Sequence, residues 1–288
     1  MSGLVEPLLM PEPGQPAHLC ASACGQPVEE DVRRFRLAAA GVSYSFRAPA
    51  DADHLIRYRW IVGHQAAFVV WRLLAHQLKR VVSRPGPAKD AVAAAARLYD
   101  VYSLLFLYTA SCSAQRYAAT VRADMAANHP AFSGEWAPDH HLIPALTRQA
   151  RAIRPQELVS ALDLAARFNQ RVHWAIAEKL VPDGVSLLQE TGRGPGKAPG
   201  PEEAEIYDAF FGVQRYPVCE RALSAQAARR AAQVMCDIAQ RGLHGPDACR
   251  PRFEAAHAAQ AERLESQTTE LLLDFIMLSQ RHQERGTR

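Results

Sequence analysis

For a chain of 288 residues this one has little net charge, because 33 basic and 30 acidic side chains leave only +3. With no long-range field of one sign, neither a nucleic acid nor a membrane surface is indicated as partner, and a small-molecule or protein ligand is expected. Cysteine is sparse. The six thiols, Cys20, Cys24, Cys112, Cys219, Cys236 and Cys249, lie too far apart for the disulfide framework of a small secreted domain and read as reduced thiols in a cytoplasm. Long hydrophobic runs are also missing: the longest, around Val101 to Ala114, is shorter than the roughly 20 residues a membrane span needs. The first residues have neither a basic stretch nor a continuous apolar one, and prolines interrupt them, so they read as a tail rather than a signal peptide. No P-loop, HExxH, GxSxG or dinucleotide fingerprint is present, so the common nucleotide and hydrolase chemistries lose ground.

What the chain does have is helical periodicity. It predicts long helices over about 51–82, 89–127 and 155–180, a short one near 141–151, and two further helical regions over about 202–241 and 251–285. The first follows Pro49, has acidic residues in its first turn, and is apolar on nearly every face, which places it in a core. The second is expected to end at Asn128-His129-Pro130, and the third to open with Pro155 in its first turn. No alternating run bounded by turn signals argues for a sheet, and there is no internal repeat. The class is all-α, with a flexible tail over 1–30 and one helical domain over 31–288. The stretch Gly192-Arg193-Gly194-Pro195-Gly196-Lys197-Ala198-Pro199-Gly200-Pro201 is a linker or a mobile loop over a site.

Two histidines stand inside apolar helices. His64 lies in RWIVGHQAAFVVW and His173 in ARFNQRVHWAIAEKL. Taken singly, each reads as a core imidazole bonded to a backbone carbonyl. Taken together, on helices that also carry Arg57, Arg59 and Arg171, they suit the two sides of a buried haem, which needs an axial nitrogen, apolar walls and cations for its propionates. Other clusters are weaker. His18 with Cys20 and Cys24 lacks a usual zinc spacing, His244 with Cys249 reads as a loop between helices, and His140-His141 reads as a solvated helix start, since adjacent helical residues point apart.

The segment DADHLIRYRWIVGHQAAFVVWRLLAHQL also resembles the distal-histidine helix of tryptophan 2,3-dioxygenases, with His64-Gln65 as the His-Gln pair and Trp60 where that family has phenylalanine. Tyr108 to Arg116 is similar to the family's Ser-Pro-Ala-Ser-Gly segment and its Gln-Phe-Arg end, with Ala110-Ser111 identical. Arg171-Val172-His173 resembles the proximal-ligand segment. The likeness runs over about residues 51–200. It departs from the dioxygenases in the glycine-rich loop and in the carboxylate-binding arginine, whose position Arg116 and Arg122 bracket. In these respects the chain more closely resembles the histidine-ligated haem-dependent L-tyrosine 3-hydroxylases of the same superfamily, found in antibiotic pathways.

This resemblance implies a bundle of long helices enclosing haem b, with His173 on the iron, Arg171 beside it, Trp60 as a pocket wall and His64 as the distal acid–base. It implies substrate contacts from Arg116 in preference to Arg122, from Trp60 and from Ser111. The implied reaction takes L-tyrosine to L-DOPA with hydrogen peroxide, or dioxygen, as oxidant, in a homo-oligomer (dimer or tetramer). A related branch links its haem covalently through His-x-x-x-Cys; here Ala177 stands at that position, so non-covalent haem is expected. The alternatives are a tryptophan or indole oxygenase using dioxygen, and a non-catalytic helical scaffold or haem-binding module.

Overall fold

The computed structural model describes residues 5–20, 28–83, 89–181, 184–192, 198–245 and 250–284. In chain order it runs β1 (Leu8–Met10), α1 (Val28–Ala39), α2 (Ala52–Val82), α3 (Lys89–Thr109), α4 (Ala114–Tyr117), a π-helical turn (Ala118–Arg122), α5 (Ala123–Asn128), α6 (Ile143–Arg151), α7 (Ser160–Leu180), α8 (Leu187–Glu190), α9 (Pro201–Phe211), β2 (Val213–Arg215), α10 (Glu220–Arg241), α11 (Ala255–Ser266) and α12 (Thr268–Glu284). The all-α class expected from the periodicity is what the chain adopts.

Helix α2 is the axis of the bundle. Asp51 starts it by accepting a hydrogen bond from the His54 backbone N–H at 2.9 Å, which satisfies one of the donors a helix N-terminus leaves unpaired. Being apolar nearly all round, it is enclosed nearly all round: α3, α6 and α10 pack against it, with the π turn and α9 over its first half. Gly63 lets α3 come close, since a Cβ there would lie 2.2 Å from Cγ2 of Thr109. Helix α3 carries α7 on another face. It is also long and apolar enough to cross a membrane by composition, but 67% of that stretch is buried among its neighbours, as for a core helix.

Several boundaries differ from the expected ones. The helix expected over 89–127 breaks at Ala110–Ser113, because backbone and side-chain groups there are claimed by tertiary partners: Lys179 Nζ donates to the Ala110 carbonyl at 2.5 Å, and Arg59 Nη1 donates to Ser111 Oγ at 2.9 Å. Pro155 precedes a short 3-10 turn over Gln156–Leu158 instead of opening α7, which begins at Ser160. The regions 202–241 and 251–285 are each divided, the first at Gly212, which leaves α9 with φ +64, and the second at Gln267. The N-terminal segment is not a tail as far as residues 8–10 are concerned. There β1 pairs in parallel with β2, Leu8 opposite Val213, and buries Leu8 and Met10 completely, while Gln226 closes its other edge with bonds to the Leu9 N–H and carbonyl. These three-residue strands are the small sheet that the sequence did not announce. Arg193 to Lys197 of the glycine-rich stretch lie outside the described residues.

Candidate active site

His64 comes from the middle of α2, where the turn-by-turn spacing puts Trp60, His64 and Phe68 on one face. Its Nδ1 lies 2.7 Å from the Trp60 carbonyl. A carbonyl can only accept, so Nδ1 carries the proton and Nε2 presents its lone pair. The ring is stacked on Phe211 (centroids 4.4 Å apart, planes 15° apart) and is 4.4 Å from the Trp60 ring on another side. Burial between these rings lowers its pKa to about 4, against the small opposing effect of the carbonyl bond. The expected bond of His64 to a backbone carbonyl is present, and it leaves the other nitrogen available.

The neighbouring Gln65 fixes the stacked ring. Its amide donates to the Phe211 carbonyl at 2.8 Å, at the end of α9, so His64 and Gln65 hold the same residue from its side chain and its backbone. Phe211 is a site residue the sequence did not reveal, because it lies far away in the chain and reaches His64 only through the α2–α9 contact.

From Phe211 a run of ring contacts leads to the second imidazole. Phe68 lies 6.1 Å from Phe211 and 5.2 Å from Trp71; Trp71 meets Tyr102 of α3 at 5.7 Å; Tyr102 stacks on Phe106 at 4.4 Å; and Phe106 lies 5.3 Å from His173 of α7. His173 is exposed, yet enough protein surrounds it for desolvation to lower its pKa. Neither of its ring nitrogens has a hydrogen-bond partner among the described residues.

A third imidazole belongs to the same wall. His140, expected at a solvated helix start, is instead partly buried, 5.4 Å from Trp71 and 6.1 Å from Tyr102, with its pKa lowered to about 4 by burial first and then by His173 and His141. The correction has a physical cause. Asp139 next to it is clamped by Arg72 at 2.9 Å and Arg215 at 2.8 Å, and Arg215 grips Asp208 at 2.7 and 2.8 Å, which pulls this segment onto α2 and β2. His141 stays exposed.

The cations are sorted just as clearly. Arg59 is not available for a propionate: it is 1% exposed, ion-paired through Nε with Asp237 at 2.7 Å, and donates to Ser111 Oγ and to the Leu243 and Gly242 carbonyls at 2.9 Å each. Ser111 is thereby part of this structural knot, its oxygen accepting from Arg59. Arg57 is held by Asp124 at 2.6 Å. Arg171, exposed and lying 5.1 Å over the Trp174 ring, has no carboxylate partner among the described residues. Arg116, preferred from the sequence, points outward to Asp53 at 3.4 Å with its side chain 41% accessible. Arg122 is less exposed and belongs to the Tyr117 side of the site, where the Tyr117 ring lies 5.7 Å from Trp60.

These residues fit a haem. His173 offers an unpartnered nitrogen whose lowered pKa keeps the lone pair free at neutral pH, aromatic side chains pack between it and His64, and the buried indole nitrogen of Trp60 has no protein partner. His18 forms a backbone bridge to Cys219 beside the small sheet. Cys24 and Cys249 lie outside the described residues.

No curated protein matches the chain. A family model does, over residues 13–168: that of the SfmD 3-methyl-L-tyrosine peroxygenases. The matched segment contains His64, Trp60, Arg116, Arg122 and His140 and ends shortly before His173. It covers more than half of the sequence, and the chain accordingly belongs to the SfmD 3-methyl-L-tyrosine peroxygenase family, haem-dependent oxidoreductases of tyrosine-type substrates.

Proposed function

We propose that this protein hydroxylates the ring of a tyrosine-type amino acid ortho to its phenol, with hydrogen peroxide as oxidant, in antibiotic biosynthesis. For L-tyrosine the product is L-DOPA. One peroxide oxygen enters the ring C–H bond and the other leaves as water, so no further reductant is required. Haem b, which His173 would hold without a covalent link, would supply the iron chemistry for the oxygen transfer.

The observation that carries the reading is the fixed tautomer of His64. With Nδ1–H committed to the Trp60 carbonyl, Nε2 is a neutral acceptor at any pH well above 4. It takes the proton from a peroxide O–H and returns it to the departing oxygen, the role of a general acid–base. Trp60 and Phe211 stop the ring from turning, so the acceptor direction is set before substrate arrives. The same nitrogen can accept from the substrate phenol, and a buried acceptor left unpaired by an analogue without that hydroxyl penalises the analogue strongly. Arg171 stands beside His173 in sequence as the remaining cation for a propionate.

The family description favours a second substrate, 3-methyl-L-tyrosine, in which one ortho carbon is already occupied and hydroxylation falls on the other. The test is a comparison of kcat/KM for the two amino acids with peroxide on haem-loaded protein, products read by mass. A product one oxygen heavier from either supports the reaction, and the ratio assigns the substrate. Turnover of indoles with dioxygen alone would replace this reading, and a Soret band with no turnover of any of them would leave a haem-binding module. The ligand assignment has its own test, since His140 lies within the matched segment: His173→Ala is expected to lose the histidine-ligated spectrum and His140→Ala to keep it. The reverse result moves the ligand to His140.

A further inference from the structure

A helix leaves its last carbonyls without donors, and it is at such an end, that of α9, that Phe211 holds its ring against His64. We propose that the N-terminal segment Glu6–Met10 is a positioning element of the distal site: through β1 it fixes the Phe211–Gly212 turn, and that turn keeps the Phe211 ring on His64. The inference goes beyond the reaction proposed above and rests on that reading only for the acid–base role of His64.

The turn is gripped from two sides. Gly212, with φ +64, takes the chain out of α9, so neither its own carbonyl nor that of Phe211 has a donor in the helix. Gln65 of α2 donates to the Phe211 carbonyl at 2.8 Å, and the Leu8 N–H donates to the Gly212 carbonyl at 2.9 Å. The same Gln65 amide reaches the Glu6 carbonyl at 3.4 Å. The segment, the turn and the residue next to His64 therefore meet at one side chain.

The segment is itself anchored. Two strands of three residues have too little pairing of their own to stay together in water, so β1 depends on what else holds it. Leu8 and Met10 are fully buried, and the Tyr216 N–H donates to the Met10 carbonyl at 2.9 Å. From α10, Arg230 donates to the Glu6 carbonyl at 2.7 Å, and Gln226 bonds the Leu9 N–H and carbonyl at 2.6 and 2.8 Å. The consequence lies at the ring. Phe211 is 1% exposed and covers one face of the imidazole, whose lowered pKa comes from burial, opposed by the Trp60 carbonyl bond. If the turn relaxes, that face is uncovered, water reaches it and the fixed direction of the ring is lost. Both strands lie outside residues 13–168, the stretch that the family model matches.

The test uses the full haem-loaded chain with two variants. Leu8→Pro deletes the N–H that holds Gly212, and Gln226→Met, a milder change at a half-buried position, frees the other edge of β1. Acylation of His64 and of His140 by diethyl pyrocarbonate, followed by peptide mass, should speed up severalfold at His64 in both variants and stay constant at His140. With the Soret band unchanged, kcat/KM for peroxide at pH 7 should fall about tenfold or more in Leu8→Pro and less in Gln226→Met, as misplacement of a reacting group requires. Its acid limb should move from about 4 toward the ordinary 6.5. If Leu8→Pro does not fold, Gln226→Met decides. Equal acceleration at both imidazoles, or none at His64, overturns the brace. The labelling needs no turnover, so if it changes as expected while His64→Ala stays fully active, the brace stands and the acid–base role of His64 falls.

Discussion

The two imidazoles at the ends of the ring contacts are built in opposite ways. His64 sits in a capped helix enclosed by its neighbours, with one nitrogen bonded, both faces of its ring covered and its backbone pinned where Gly63 meets Thr109. His173 sits on α7, which has no side-chain cap at either end, leaves Leu164 61% and Trp174 50% exposed, and gives the imidazole no hydrogen-bond partner among the described residues. The difference matches the two tasks proposed for them. A group that moves a proton must already point in the right direction, whereas a group that binds a ligand needs an open nitrogen and receives its order from that ligand.

The sharpest way to break this comparison is at the open end. His173→Ala should abolish the histidine-ligated Soret band and peroxide turnover together, because nothing else on α7 replaces the nitrogen; an unchanged spectrum would deny its role. At the ordered end, His64→Ala should keep the haem spectrum while turnover falls by about two to four orders of magnitude, the usual range for a general acid–base. If haem is lost instead, the two imidazoles do not have separate tasks.

The buried imidazoles also make folding depend on pH. For His64 and His140 the folded-state pKa of about 4 lies below the ordinary 6.5, so the unfolded chain binds more protons between those values. Their support is complete above pH 6.5 and is lost as pH falls toward 4, by about 3 kcal/mol for each fully expressed shift. Urea unfolding at pH 7 and at 4.5 should show this loss, and a variant with both imidazoles replaced should lose less. The smallest effect is expected from Gly63→Ala. The new methyl would collide with Thr109 and Tyr108, and overpacking of about 1–3 kcal/mol outweighs the gain of about 1 kcal/mol in helix propensity. Since α2 carries the distal imidazole, turnover should fall while the His173-ligated spectrum stays as it was.

Most of the helical frame was legible in the sequence because the 3.6-residue period reports burial directly. The start of α2 at Asp51, the end of α5 before His129-Pro130 and α6 near 143–151 all fall where caps and prolines put them. The break at Ala110–Ser113 was not legible. No glycine or proline marks it; Arg59 and Lys179, from two other helices, take its polar groups, and Ser113 caps the short helix that follows. β1 and β2 are too short to show a period of two, and their register depends on residues two hundred positions away.

The same division holds within the site. The sequence by itself determined the helical class, and it singled out His64, His173 and Trp60, because a polar ring in an apolar helix is costly unless it is used or bonded. Only the tertiary structure decided the rest: that Phe211 and His140 join those rings, that Arg59 and Ser111 belong to a buried knot with Asp237, and that Arg122 rather than Arg116 lies toward Tyr117. Burial follows from local pattern, but the partner of a charge or the direction of a turn is set by what packs against it, and that is a property of the whole chain.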